Sequence, residues 1–269
     1  MKIGFIGTGN MAGAIVQGIV AQNFVKGEEV YLFDILTDKV QELGCQISGN
    51  ICSSAADVIK QADAIVLSVK PNIIQKVMEE TKTILLDKKP LLISIAAGTT
   101  LDKLAGLAGT NDLPIVRVMP NVNAMIGMGA AAVTGNETAS KEQVQYVVDL
   151  FNAVGKAWEV DEKDFSAYTA LAGSSPAYAY LFIDSLARAG VKHGLTKDKA
   201  LEYAAQAVLG SAQMIMESKE NPWTLIDRVC SPGGTTVAGL LALEEEAFIS
   251  TIVKGIDATV ARDEEMKKM

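Results

Sequence analysis

Five short apolar runs recur through the first half of the chain, at 3–6, 29–33, 64–69, 91–97 and 115–119. Each is too short for a helix and apolar at nearly every position, the pattern of a strand covered on both faces of a parallel sheet. Between them, apolar residues return at helical spacing: 14–21, a short helix capped by Ser53 or Ser54 and ending near 62, 73–86, and a helix capped at Thr100. Two further short strands are read at 130–134 and 158–160. Ser140 with Gln143 forms a capping box for the helix that ends near Val154. Strands alternating with helices predict a doubly wound parallel sheet, whose ligands sit outside the carboxyl ends of the strands.

After about residue 160 no strand-period segment remains. Helical runs take over at 163–172, 176–190, 197–217, 223–230 and 247–262, with Asp161, Thr196 and Asn221 as N-caps and Pro222 at a first helical position. The fold class is therefore α/β, with a doubly wound sheet domain over 1–160 and an all-helical domain over 161–269. Stretches such as 204–212 are apolar or small all round, which implies burial on several sides and predicts a dimer through the helical domain. The charged tail, 262–269, reads as fraying.

Composition narrows the partners. The chain is 49% apolar and 21% charged with a net charge of −8, which argues against nucleic acid and anionic membranes. No apolar run approaches a membrane span, and Met1-Lys2-Ile3-Gly4-Phe5 enters a strand without a signal-peptide layout. Cys45, Cys52 and Cys230 form no Cys-x-x-Cys pair, so they read as reduced thiols in a cytoplasmic protein. No clustered metal ligands occur, so no metal is expected. His193 is the single histidine, at a helix end.

The candidate chemistry sits at the turns. Gly7-Thr8-Gly9-Asn10-Met11-Ala12 lies between the first strand and its helix, the G-x-G-x-x-A form of the dinucleotide fingerprint, which makes the first domain Rossmann-type. Asp34 ends the second strand, where an acid bonds the ribose 2′-hydroxyl of NADH. A 2′-phosphate there would meet a like charge, costing roughly 3 kcal/mol per unit-charge pair at about 5 Å and an effective dielectric of about 20. Lys39 offers partial compensation, so the cofactor is NADPH or NADH with a lean toward NADH. The strand ends at 68–71, 95–98 and 120–121 would line the nicotinamide side. In the second domain, 172–178 interrupts a helical pattern with Gly, two Ser and Pro. The loop Ser231-Pro232-Gly233-Gly234-Thr235-Thr236 precedes an apolar helix that Thr235 or Thr236 would cap, a seat for a carboxylate or phosphate. A nucleophilic Cys230 lacks a nearby histidine.

Together these segments resemble the pyrroline-5-carboxylate reductases over essentially the whole chain. The likeness runs from Ile6-Gly7-Thr8-Gly9-Asn10-Met11-Ala12 through Val69-Lys70-Pro71, Ala96-Ala97-Gly98 and Met119-Pro120-Asn121. It continues through Leu171-Ala172-Gly173-Ser174-Ser175-Pro176-Ala177-Tyr178 to Ser231–Thr236 with Ala238-Gly239-Leu240. The resemblance implies reduction of 1-pyrroline-5-carboxylate to L-proline by NADPH or NADH, and a homodimer of interlocked helical domains that often assembles into a decamer. It places cofactor contacts on Ile6, Gly7, Thr8, Gly9, Asn10 and Met11, on Asp34, on Ser68, Val69, Lys70 and Pro71, and on Ile95, Ala96 and Ala97. Substrate contacts fall on Ser231, Gly233, Gly234, Thr235 and Thr236, and on Glu162. Thr236 is the candidate to orient the imine and pass its proton, with Thr235 as the alternative. Relatives that favour NADPH commonly carry small or polar residues where Asp34 stands. Two other readings remain open: another two-domain imine or 3-hydroxyacid reductase, and a dinucleotide-binding protein without turnover. The hydroxyacid enzymes use a lysine that 171–181 lacks.

Overall fold

The computed structural model describes residues 1–267 of the 269-residue chain. β1 (Ile3–Ile6), α1 (Asn10–Ala21), β2 (Val30–Phe33), α2 (Thr37–Ile47), β3 (Asn50–Ile51), α3 (Ala55–Gln61), β4 (Ala64–Leu67), α4 (Pro71–Lys88), β5 (Leu91–Ser94), α5 (Leu101–Ala108) and β6 (Ile115–Pro120) follow in order. β7 (Gly129–Gly135), α6 (Lys141–Asn152) and β8 (Gly155–Glu159) complete one eight-stranded sheet, ordered β3-β2-β1-β4-β5-β6-β7-β8.

β1, β4 and β5 are buried at every position because both faces of the sheet are covered there. Ile3 and Phe5 of β1 meet Ile15, Val16 and Ile19 of α1 in one core, and the alternate residue Ile6 joins Val58, Ile59 and Met78 from α3 and α4 in the other. β1 to β6 run parallel, but β7 is antiparallel to β6, and β8 pairs parallel with β7. A parallel return needs a crossover of a dozen or more residues. Only 121–128 lie between β6 and β7, most of them in the 3₁₀ turn Val122–Ile126, so the chain turns back. The sequence reading also passed over α2 and β3. Val40, Leu43 and Ile47 of α2 do carry helical spacing within a polar stretch, and β3 has only two residues. The caps at Ser54, Thr100, Ser140 and Asn221 form as read, each side chain accepting an N–H of its helix.

Past β8 come a 3₁₀ turn (Glu162–Asp164), α7 (Phe165–Tyr168), a π-helix (Thr169–Ser174), and then α8 (Ser175–Lys192), α9 (Lys197–Ser218), α10 (Pro222–Val229), α11 (Thr235–Glu245) and α12 (Phe248–Lys267). The interruption expected at 172–178 is a widened turn rather than a break. Proline has no N–H for the preceding carbonyls, and the π-helix just before Pro176 accommodates that loss.

The chain divides into two compact units, one of 1–174 together with the chain from Thr259 onward, the other of 175–258. The tail expected to fray is helical as far as Lys267, while residues 268 and 269 lie outside the described residues. Its last turns are held within the first unit, because the buried Ser166 hydroxyl donates to Asp263 Oδ2 at 2.7 Å and also meets Lys267 Nζ. In the second unit α8 and α9 pack through Ala187, Ala200 and Ala204. Tyr180, Leu181, Tyr203, Leu209, Met216, Leu241 and Ile249 are left exposed on the single chain. No helix of the described residues is long and apolar enough to cross a membrane.

Candidate active site

Because β1, β4, β5 and β6 are parallel, their carboxyl ends share one edge of the sheet. Gly7 leaves β1 there with φ +100°, its N–H donating to the Phe33 carbonyl at 2.8 Å. A Cβ at Gly7 would stand 2.8 Å from the Ser68 carbonyl oxygen, so β4 closes over this turn. The Ser68 hydroxyl donates to the carbonyls of Gly7 (2.7 Å) and Ile6 (3.1 Å), which gives that side chain the task of holding the turn. Ile6 itself is core.

Gly9 is the N-cap of α1 and carries no capping side chain, and no acid occupies the first turn. A Cβ at Gly9 would meet nothing within 4 Å. The first N–H groups of α1 therefore face open space at the positive end of a twelve-residue helix, a ready anion seat. This vacancy beside Thr8, Asn10 and half-buried Met11 fits the pyrophosphate of a dinucleotide.

Asp34 follows β2 and turns back onto that loop. Its Oδ2 accepts from Thr8 N–H (2.6 Å) and Thr8 Oγ1 (3.1 Å), and its Oδ1 accepts from Leu36 N–H (2.9 Å). The negative charge is thus fixed rather than free to swing away. Lys39 lines a groove together with Thr8, Gly9, Asn10 and Glu42. Along the same edge, Val69 precedes Lys70, the N-cap of α4, with Pro71 at its first position. Ile95 N–H donates to the Leu67 carbonyl, and Ala96 is buried. Ala97, Gly98, Pro71, Asn72 and Met266 border a depression.

In the second unit, α10 ends at Cys230, and the chain turns through Ser231–Gly234, closed by Gly234 N–H donating to the Ser231 carbonyl at 2.9 Å. Gly233 takes φ +66° in this turn. The N-cap of α11 is Gly234, not Thr235 or Thr236 as expected, because the tight turn places both threonines inside the first helical turn. No capping side chain covers this end, and Ser231, Thr235 and Thr236 are exposed. Since Gly234 has spent its N–H on the turn, the N–H groups open to an anion are those of Thr235, Thr236 and Val237.

Glu162 belongs to the first unit. Its Oε1 accepts both from Arg117 Nη1 (2.8 Å) and from Leu101 N–H (2.9 Å) at the start of α5. Arg117 is 2% exposed in the middle of β6, its guanidinium 4.4 Å from the Phe165 ring centroid. Sequence reasoning missed this partner, although a lone arginine inside the apolar run Ile-Val-Arg-Val-Met signals a buried charge needing one. Of the cysteines, Cys52 is buried with its thiol pushed up to about 11, by burial first and then by Asp57. Cys230 is half-buried and His193 is exposed just past α8.

Two family models match separate parts of the chain: "NADP oxidoreductase coenzyme F420-dependent" over residues 2–98 and "Pyrroline-5-carboxylate reductase dimerisation" over 162–266. The pyrroline-5-carboxylate reductase of Escherichia coli (strain K12) is 40% identical over 267 residues, covering 99% of this chain and 98% of the relative. The chain belongs to the pyrroline-5-carboxylate reductase family. Solved structures agree with this placement across the full length. The Streptococcus pyogenes 1-pyrroline-5-carboxylate reductase has a TM-score of 0.87 at 40% identity, covering 100% of this chain and 99% of that one. The Plasmodium falciparum pyrroline carboxylate reductase, solved with NADP bound, has a TM-score of 0.89 at 34% identity, covering 99% and 98%. This reductase is thus an oxidoreductase of two parts, a Rossmann-type sheet and a helical region of the dimerisation type, and the residues at its sheet edge fit a nicotinamide dinucleotide.

Proposed function

We propose that this chain reduces the cyclic imine 1-pyrroline-5-carboxylate to L-proline, with the Ser231–Thr236 loop as the substrate seat. The observation that carries the reading is full-length kinship with reductases of that name, joined to an uncapped helix N-terminus at this loop. When bound, the reduced nicotinamide supplies the hydride that adds to the imine carbon. The substrate carboxylate is held by N–H groups of Thr235, Thr236 and Val237 at the start of α11, with the Ser231 and Thr235 hydroxyls beside them and Gly233 and Gly234 keeping the approach clear. The Thr236 hydroxyl orients the ring nitrogen, which ends the reaction protonated as the amine. Hydride transfer to a protonated imine needs orientation and charge placement more than a strong acid, which suits a chain with a single, exposed histidine. Glu162 is read outside the substrate set, because its Oε1 already accepts from Arg117 and from Leu101 at the start of α5.

The reading is tested by mixing protein, 1-pyrroline-5-carboxylate and reduced coenzyme, and following the nicotinamide absorbance. Absence of turnover sinks it. Thr236→Ala removes one hydrogen bond to a charged group, about 1.5–3 kcal/mol, so kcat/KM falls roughly tenfold to a hundredfold. Wild-type turnover in that variant passes the role to Thr235.

The coenzyme is NADH in preference to NADPH. The fixed Asp34 carboxylate, with no arginine following it in 35–40, supports this. Asp34→Ser is expected to raise the NADPH-to-NADH ratio of kcat/KM about tenfold to a hundredfold, the ~3 kcal/mol repulsion less salt screening. An unchanged ratio removes Asp34 as the determinant. The same variant leaves Thr8 N–H without its acceptor and loses about 1 kcal/mol of stability. The helical unit, apolar at Tyr180, Leu181, Leu209 and Ile249 on its exposed faces, forms a homodimer. Light scattering at micromolar concentration reads it directly, a monomer removing the dimer and a tenfold mass supporting the decamer. The three free thiols suit a reducing cytoplasm.

A further inference from the structure

Asn121 stands where β6 leaves the sheet, 6% exposed, with its amide used at both ends. Nδ2 donates to the Ala172 carbonyl in the π-helix at 2.9 Å, and Oδ1 accepts from Ala130 N–H at the start of β7 at 3.0 Å. The π-helix lies against the carboxyl end of β6, since a Cβ on Gly173 would fall 2.9 Å from Met119 Cε. This is the edge that carries the Gly7, Ser68 and Ile95 loops.

Two hydroxyls at the start of the π-helix lack partners among the described residues. The Thr169 hydroxyl, on a residue 7% exposed, has no hydrogen-bond partner among the described residues, and neither does the buried hydroxyl of Tyr168 just before it. A threonine inside an α-helix ordinarily satisfies its hydroxyl on the preceding turn. Widened turns of this kind gather at functional sites, where their exact placement depends on what braces them. Here one such brace is the Asn121 amide.

We propose that Asn121 is a positioning residue for hydride transfer, locking the π-helix to the carboxyl end of β6 so that this wall of the nicotinamide pocket keeps its place. The inference rests on the reductase reading above. A matched residue exists at the other end of the same strand. Asn136 accepts on Oδ1 from Ile115 N–H and Ala139 N–H, both at 3.0 Å, and donates from Nδ2 to the Leu113 carbonyl at 2.9 Å. Its chemistry is the same, but it sits at the amino end of β6, about 20 Å away along a six-residue strand.

The test compares Asn121→Asp with Asn136→Asp in the full-length protein. Each aspartate keeps an acceptor oxygen and loses the N–H donor. Both variants are expected to lower the thermal midpoint. Asn136→Asp keeps kcat within about twofold of the parent, whereas Asn121→Asp loses tenfold or more in kcat with an unchanged KM for the coenzyme. Lowering the pH then recovers kcat for Asn121→Asp alone, because a protonated carboxyl again donates to Ala172. Equal kcat losses in the two variants, or full kcat in Asn121→Asp, overturn the proposal. Should Asn121→Asp not fold, Asn121→Ser, which cannot span both partners, carries the same kcat expectation. Wild-type turnover is measured first. Its absence overturns this inference together with the reductase reading, while a working parent with an unimpaired Asn121 variant overturns the Asn121 role alone.

Discussion

Replacing Gly7 with alanine lowers coenzyme affinity by more than a hundredfold and also destabilises the fold. Gly7 holds φ +100°, where an L side chain is strained, and its Cβ would lie 2.8 Å from the Ser68 carbonyl and 2.9 Å from Val69 Cγ1. Backbone strain of about 1–3 kcal/mol adds to an overpacking cost of about 1–3 kcal/mol. The chain relieves both by opening the turn that presents the start of α1, so the anion seat is lost. Gly9→Ala makes the contrast. Its Cβ meets no protein atom, so stability holds within about 0.5 kcal/mol while the methyl enters the space left for the pyrophosphate. Coenzyme titration and thermal melting of the two variants separate these effects. Tight binding by Gly7→Ala would show that the turn is not where the dinucleotide sits.

Removing the Glu162 carboxylate is the second large effect, and it falls on stability. Glu162→Ala leaves Arg117 charged, nearly fully buried and unpaired in β6, and strips the N-terminus of α5 of an acceptor. Breaking a buried pair from one side costs about 3–5 kcal/mol. Glu162→Gln keeps the oxygen and is expected to lose only about 1–2 kcal/mol, because the hydrogen bonds survive without the charge. The double variant Arg117→Met with Glu162→Leu should regain most of the loss, since an apolar pair of similar volume replaces a desolvated ionic one. Urea midpoints read all three. If Glu162→Gln instead raises KM for the imine while leaving the midpoint unmoved, Glu162 belongs to the substrate after all.

Much of the fold was legible from local pattern. The five apolar runs marked β1, β2, β4, β5 and β6 because a strand covered on both faces cannot hide its composition. The caps at Ser54, Thr100, Ser140 and Asn221 were legible because capping depends on residues two or three apart. The direction of β7 was not, since it depends on the length of a connection rather than on the strand's own residues. Thr235 and Thr236 misled in a similar way. Either could cap a helix, but the Ser231–Gly234 turn decides where α11 begins. The tail offered only charges to the eye, and its order comes from Ser166, a hundred residues earlier in the chain, meeting Asp263 and Lys267.

By itself, the sequence determined the two-part architecture, the glycine turn at 7–9, the acid at position 34 and the family, because all of these rest on residue type at fixed local spacing. Only the tertiary structure decided what those residues hold on to. Asp34 is fixed by Thr8, Ser68 ties the Gly7 turn, Glu162 answers Arg117, and Asn121 braces the π-helix. Each of these is a buried or half-buried polar group whose partner lies 26 to 62 residues away in the chain. The requirement that such a group find a partner can be read from sequence, but the partner's identity emerges only when the chain folds.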